Sequence, residues 1–386
     1  MSRTARRAGA SGSEEAAPGA RRVALDVLVR IDADGAYANV ALRAALAQSC
    51  LEERDRAFAT ELVYGVTRRR RALDWALDAF LQTPPPPRAR AALRMGAYQL
   101  LELDTPAYAA VSATVAAAPR SHRGLVNAVL RRVGDAGKPD WPDDATRLSY
   151  PDWIVEALTA DLDRDTALDI LESMNAPARV HRRADGYVQD PSSQMVVDAI
   201  DVQAGDLVAD VCAAPGGKAT ALAALGARVI ACDSRLGRIG LLTANRSSLG
   251  ADQMHVLAAD GRHPPLRPGC CDTVLVDAPC SGLGTLRRRP DARWRIEPSS
   301  VARLAELQTG LLDAAVDLLR PGGQLVYSVC TLTAAETLQV AANASGDGRL
   351  ESLPPPAEPW VAHGDGALLL PGVDHDGMAL FRWRRI

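Results

Sequence analysis

The chain has 386 residues, of which 47% are hydrophobic and 24% charged, with a formal net charge of -3; this is ordinary globular usage and excludes a fibre, a peptide hormone or a disulfide mini-protein. Its longest uncharged stretches, 105–119 and 321–335, are too short and too broken by Pro, Ser and Thr to span a membrane. The seven cysteines are an odd number behind a start with no secretory apolar segment, so free thiols in the cytoplasm are expected rather than a disulfide framework. Residues 1–20, rich in Ala, Gly, Ser and Arg without apolar periodicity, read as a disordered tail. From Arg21 to Val133 apolar residues recur three and four apart, as in Val23, Val27 and Leu28, or Leu62, Val63 and Val66. That spacing predicts an all-helical module punctuated by Asp34-Gly35, the Pro84 to Pro87 run, Pro106 and Pro119.

Residues 1–140 carry a balance of +6 and the remainder -9, almost all of the positive charge being Arg, since Lys138 and Lys218 are the only lysines. The front part is therefore the better surface for a polyanion. Within it, Arg68 to Arg71 stand open between two readings, a solvated helix end and a contact for RNA phosphates. Residues 136–186 turn rich in Pro, Asp and Gly around one short amphipathic helix near Ile154 to Leu171, which predicts a linker with a small connecting element.

From Tyr187 onward the grammar changes. Short β-rich runs at Leu207 to Val211, Val229 to Cys232, Thr273 to Val276 and Gln324 to Ser328 alternate with helical stretches. Such alternation predicts a parallel sheet with right-handed crossovers and a ligand at the carboxyl ends of its strands.

The stretch Asp210-Val211-Cys212-Ala213-Ala214-Pro215-Gly216-Gly217-Lys218 runs from a strand through a glycine turn into a helix. The next strand ends at Asp233, about the offset at which an acid meets a ribose diol. Because G-x-G-x-x-G is absent, S-adenosylmethionine fits better than a dinucleotide. Asp260, after a third β-like run, is a candidate for the adenine amino group, with a helix N-cap as the plainer reading of any such Asp.

Two further strands end in chemistry: Val274 to Val276 leads into Asp277-Ala278-Pro279-Cys280, and Leu325 to Val329 into Cys330. Cys232, by contrast, falls inside its run as a structural residue would. Two thiols at equivalent sheet-edge positions beside a cofactor turn have a use. Carbon 5 of a pyrimidine becomes nucleophilic only after something adds at carbon 6, and a thiolate both adds and leaves well. One thiol would attack and the second assist release, with Asp277 hydrogen-bonded to the ring nitrogen and amino edge of cytosine. A zinc site is not expected, because C-x-x-C and His clusters are absent.

At these residues the sequence resembles the RsmB (Sun/Fmu) ribosomal RNA cytosine-C5 methyltransferases of the Sun-type family. The matching blocks are Val188-Gln189-Asp190 with Ser193-Gln194, Cys212 to Lys218, Asp233 with Arg238, Asp260-Gly261, Asp277 to Ser281, Arg287-Arg288 with Pro290-Asp291 and Trp294, and Tyr327-Ser328 with Cys330. The resemblance implies a multidomain chain: a NusB-like RNA-binding helical domain over 21–135, then an α/β Rossmann-like S-adenosylmethionine-dependent methyltransferase domain over 187–386. It implies Cys330 as nucleophile and Cys280 as the releasing thiol. It also implies that Cys212, Ala213, Ala214, Pro215, Gly216, Gly217 and Lys218, with Asp233, Arg238, Asp260 and Asp277, surround the cofactor. The substrate implied is small-subunit (16S) rRNA, met by a monomer without metal or membrane. The segment from Met174 to Gln189 is shorter than the family's connection, which motivates a rival reading: a NusB-like RNA-binding or assembly factor whose rear domain binds cofactor without catalysis. A reversed assignment, with Cys280 attacking, is a second rival.

Overall fold

A computed structural model describes residues 19–103, 105–346 and 348–386. The expected tail, 1–20, lies outside the described residues except for its last two. The chain divides after Asp140 into two compact units.

The first unit is helical: α1 (Ala20–Ala33), α2 (Ala38–Ala47), α3 (Glu53–Arg68), α4 (Arg70–Asp78), α5 (Pro87–Leu101), α6 (Ala107–Ala117) and α7 (Arg123–Ala136). Pro87 opens α5, where a residue without an N–H costs nothing because the first-turn donors have no intrahelical partner anyway. Helix α5 is the hub. Ala91, Ala92, Leu93, Met95 and Ala97 are all buried against apolar faces of the other helices. It also buries Arg94, whose guanidinium is held by Asp74 at 2.7 and 2.8 Å and by Asp32 at 2.6 Å.

The second unit begins with α8 (Asp144–Leu148), α9 (Asp152–Asp161) and α10 (Arg164–Ser173). Sequence reasoning expected one helix here. The break falls at Leu162, and Asp163 caps the next helix through the Thr166 amide at 3.0 Å. Tyr150, Ile154, Leu158, Ile170, Leu171 and Met174 are fully or almost fully buried in the core that also holds strand residues of the sheet. These helices are therefore part of the second unit's core. Arg293, fully buried, stacks 3.9 Å from the Tyr150 ring centroid and donates to Asn175 at 2.9 Å, tying the segment to the sheet side.

There follow α11 (Pro191–Asp198), β1 (Leu207–Asp210), α12 (Gly217–Ala224), β2 (Arg228–Asp233), α13 (Leu236–Ser248), β3 (Met254–Ala258), β4 (Cys271–Asp277), α14 (Pro298–Leu318), β5 (Leu319–Val329), α15 (Leu338–Ser345), β6 (Leu350–Ser352), β7 (Val361–His363), β8 (Gly366–Leu369) and β9 (Met378–Arg385). The sheet order is β3-β2-β1-β4-β5-β9-β8-β7, with β6 also paired to β9. Strands β1 to β5 are mutually parallel, as the alternating pattern predicts. The antiparallel extension β7 to β9, with β9 lying along β5 from Gln324 to Val329, was not anticipated. Connections run in opposite directions on either side of β1 and β4, so a crevice opens at their carboxyl ends.

Candidate active site

That crevice is where the turn after β1 meets Asp277 at the end of β4. Gly216 adopts φ +108°, a conformation that L side chains rarely adopt, and an added Cβ would stand 3.1 Å from Leu242 Cδ2. The turn is held on all sides. The Ala213 amide donates to Cys232 O at 2.7 Å, Asn245 Nδ2 to Pro215 O at 2.7 Å, and Arg183 to Gly217 O at 2.5 Å, with the Arg183 guanidinium 4.9 Å from the Tyr187 ring centroid. Asn245 and Arg183 carry no motif signature and were missed.

Acids line the strand ends. Asp233, buried, accepts from the Arg235 amide at 2.9 Å and pairs with Arg238 at 3.2 Å; Arg238 also donates to Ala214 O. Asp210 sits fully buried behind the turn, its carboxyl pushed up to about 8 by burial and by the neighbouring charge of Asp277. Asp260 is partly exposed, and its carboxyl is lowered to about 2 because Arg262 and its amide hydrogen-bond to it. Its carboxylate engages Arg262 at 2.7 Å, and no hydrogen bond or ion pair joins it to Asp233 or Asp277. A lining this rich in carboxylate acceptors suits a ligand that carries a sulfonium, an ammonium and a ribose diol. The like-charge crowding around Asp210 is the physical sign of it.

Lys218, on the first turn of α12, reaches Asp277 with Nζ to Oδ2 at 2.7 Å, and Ser328 donates to the other carboxylate oxygen at 2.8 Å. Asp277 is thus fixed between α12 and β5 while a third of its side chain stays exposed.

The two sheet-edge cysteines meet: Cys280 Sγ and Cys330 Sγ are 3.2 Å apart and both are partly exposed. The Cys330 thiol is lowered from its ordinary value, chiefly by the hydrogen bond from Cys280; burial and the charge of Asp277 oppose, and Lys218 and Arg289 add positive charge. Cys280 is pushed far up by the same hydrogen bond and by burial. Cys330 is therefore the more acidic of the two thiols. Cys232 is fully buried in β2, its thiol pushed up to about 12 by burial, consistent with a packing residue.

A buried polar frame holds the two sulfur-bearing loops together. Glu336 accepts from the Ser281 amide at 2.8 Å, Gln308 Nε2 at 3.0 Å and Thr333 Oγ1 at 3.2 Å. Gln308 also donates to Pro279 O at 2.9 Å, and the Tyr327 hydroxyl contacts Gln308 Oε1 at 3.0 Å and Glu336 O at 2.7 Å. Ser281 and Thr331 share a hydrogen bond of 2.8 Å across the two loops. Sequence reasoning missed Gln308 and Glu336, which sit in helical contexts with no motif to mark them. On the outer side, Gly284 donates to Cys330 O at 3.0 Å and accepts from the Gly377 amide at 2.8 Å. An added Cβ there would stand 2.6 Å from Gly377 O, so only glycine permits this approach.

Within the run Arg68 to Arg71 the arginines are held unequally. Arg68 is buried, Arg69 pairs with Glu102 at 3.0 Å and Arg70 with Asp32 at 3.7 Å. Acids from α1 and from just past α5 thus engage the two middle arginines.

Comparison with known proteins decides the family. Residues 197–369 match the model of 16S rRNA methyltransferase RsmB/F, and residues 18–135 that of the NusB family. The chain is 36% identical to ribosomal RNA small subunit methyltransferase B of Thermus thermophilus, over 95% of this chain and 98% of that one. The chain belongs to the RsmB/F methyltransferase family. The Vibrio cholerae protein of the same name is 33% identical over 85% of this chain and 89% of its own. In structure, the crystal structure of PH0851 superposes with a TM-score of 0.76 at 20% identity, covering 95% of this chain and 99% of that chain. A methyltransferase homolog from Pyrococcus horikoshii follows at 0.54 and 23% identity, over 63% of this chain and 98% of its own. As a member of RsmB/F the protein is an S-adenosylmethionine-dependent methyltransferase with an N-terminal NusB-type helical unit. Among the described residues no helix is long and apolar enough to cross a membrane, and no cluster of His, Cys, Asp and Glu could hold a metal ion.

Proposed function

We propose that the protein methylates carbon 5 of a cytosine in small-subunit rRNA through a transient bond between Cys330 and carbon 6 of the base, in the cytoplasm, where thiols stay reduced. The observation that carries this is the pair of sulfur atoms 3.2 Å apart beside Asp277, with Cys330 the more acidic of the two.

S-adenosylmethionine supplies an electrophilic methyl group. We assign Cys212 to Lys218, Asp233, Arg238, Asp260 and Asp277 to holding it, Asp260 after release from Arg262. The chain's own residues do the rest. The Cys330 thiolate adds to carbon 6, forming a C–S bond and moving the ring's π electrons toward carbon 5 and the N3 edge. Asp277, held by Lys218 and Ser328, accepts a hydrogen bond from the exocyclic amino group as that charge moves, and the Lys218 ammonium stabilises the negative charge that builds on the ring. After methylation the carbon 5 proton passes to solvent water, its C–H electron pair re-forms the C5–C6 double bond, and the C–S bond breaks to return the thiolate. Cys280, a neutral thiol in hydrogen-bond contact with that sulfur, stabilises the departing thiolate. The helical unit is assigned to RNA binding.

The test is labelled methyl transfer to small-subunit rRNA transcripts followed by nucleoside analysis. The expected product is 5-methylcytidine. Label in any other nucleoside, or none at all, contradicts the proposal.

A further inference from the structure

The positive balance of the helical unit is not spread evenly over its surface. The arginines of α5 meet acids: Arg88 pairs with Asp26, Arg90 with Asp78 at 2.6 Å, and Arg94 with Asp74 and Asp32. Arg22 of α1 also lies against Asp26, at 3.9 Å. The last helix, α7, is different. Arg120 just before it, Arg123 in its first turn, and Arg131 and Arg132 toward its end are all exposed, and among the described residues no ion pair neutralises any of them. Asp135 is the one acid of α7, and it pairs with none of these arginines. Helix electrostatics does not account for the set, because Arg120 and Arg123 stand at the N-terminal end, where the macrodipole disfavours a cation.

Contacts at both ends of α7 set these side chains against α6. At one end Arg123 Nη2 donates to Ala116 O at 2.9 Å; at the other, an added Cβ on Gly134 would stand 3.8 Å from Ala107 Cβ. Helix α6 therefore runs antiparallel along α7. Arg123, Asn127, Arg131 and Gly134, spaced four, four and three apart, share the face of α7 along which it lies. No residue of α6 is charged, so nothing on it offsets the arginines. Beside Ala107, Tyr108 is 81% exposed, with no hydrogen bond or ring contact among the described residues. An aromatic face thus stands open at the end of a row of cations.

We propose that the α6–α7 face binds an unpaired stretch of RNA, with Arg120, Arg123, Arg131 and Arg132 on phosphates and Tyr108 stacked on a base. This rests on the assignment of the helical unit to RNA binding and names the surface and the form of RNA. Arginines without acids among them attract a polyanion, and the planar guanidinium grips a phosphate through two parallel hydrogen bonds. Arg123 and Arg131 stand about 12 Å apart along the helix, so one phosphate cannot serve both and the face takes several nucleotides. The exposed ring narrows the choice further. A base stacks on it only when it is not enclosed in a duplex. An acidic protein segment would use the arginines and leave Tyr108 without a role.

The test measures binding of an unstructured oligouridylate, and of an RNA duplex of the same length, to the full chain without S-adenosylmethionine. Wild type is compared with Tyr108→Ala, Tyr108→Phe and the double variant Arg120→Ala/Arg131→Ala. The proposal expects Tyr108→Ala to weaken oligouridylate binding about fivefold or more, with Tyr108→Phe close to wild type and thermal midpoints unchanged. It expects the slope of log affinity against log salt to shrink by about 0.7 for each arginine removed. Arg22→Ala, which removes a cation already set against Asp26, should leave that slope nearly unchanged. With small-subunit rRNA as substrate the Tyr108→Ala and arginine variants should raise KM and keep kcat, because none of these residues belongs to the sheet-edge site. Wild-type binding by those variants overturns the assignment. So does an equal loss of duplex and oligouridylate in Tyr108→Ala, or polyglutamate binding that falls by the same factor in that variant, since neither involves a stacked base. If wild type binds oligouridylate through this face but transfers no methyl group, the reading of function fails and the surface stands. If it methylates rRNA while the variants keep the wild-type KM, the surface alone fails.

Discussion

Cys280 and Cys330 come from loops fifty residues apart and meet with their sulfur atoms 3.2 Å from each other, one thiol donating to the other. The hydrogen bond is the largest cause of both shifts, downward for Cys330 and upward for Cys280. Alkylation of Cys330 by iodoacetamide, followed by peptide mass spectrometry, should therefore proceed at a lower pH than for an ordinary thiol. In Cys280→Ala the profile should move to higher pH, because the donor that stabilises the thiolate is gone. A profile unmoved by that substitution would contradict the assigned hydrogen bond.

Asp210 gives the fold a pH signature. Its carboxyl rises from 3.8 to about 8 on folding, first through burial and then through Asp277. Between those values the native state holds a proton that the unfolded chain has released, so the contribution of this one group is fully present below 3.8 and is lost as pH rises through about 8. Denaturant titrations across that window should show wild type losing stability relative to Asp210→Asn, which cannot ionise. Parallel curves for the two proteins would mean that Asp210 is ionised in the fold throughout.

Glu336 should be the most costly polar residue to remove from the frame around the thiols. Truncation to Ala leaves the Ser281 amide and the Gln308 side chain, both buried, without their shared acceptor. A loss of about 3 kcal/mol is expected from urea unfolding. Release of product should slow as well, since the Ser281 amide fixes the loop that carries Cys280. A variant as stable as wild type would show that the frame is not what holds the loop.

Much of this site is legible in the sequence because its parts are local. Asp210 to Lys218 is a strand, a turn and a helix within nine residues, and periodicity alone separates them. Asp277-Ala278-Pro279-Cys280 and Cys330 are each visible as strand ends, and a parallel sheet brings all strand ends to one edge. What depends on distant partners is not visible. In the charge run Arg68 to Arg71, the pairing of Arg69 with Glu102 and of Arg70 with Asp32 depends on residues far away in sequence. The ion pair between Asp260 and Arg262, two residues on, is likewise invisible in the sequence. Gln308 and Glu336 look like any polar residues of their helices until Tyr327 and Ser281 are placed against them. The segment 144–173 has the composition of a linker, and only the burial of Tyr150, Ile154 and Leu171 reveals it as core.

The central claim is that Cys330 forms the bond to the base and Cys280 helps to break it. Incubation of each single Cys→Ala variant with rRNA and S-adenosylmethionine, followed by denaturing electrophoresis, tests it most directly. Cys280→Ala should migrate as a covalent protein–RNA species, and Cys330→Ala should give neither that species nor methylated RNA. A covalent species in Cys330→Ala, or normal turnover by it, contradicts the account.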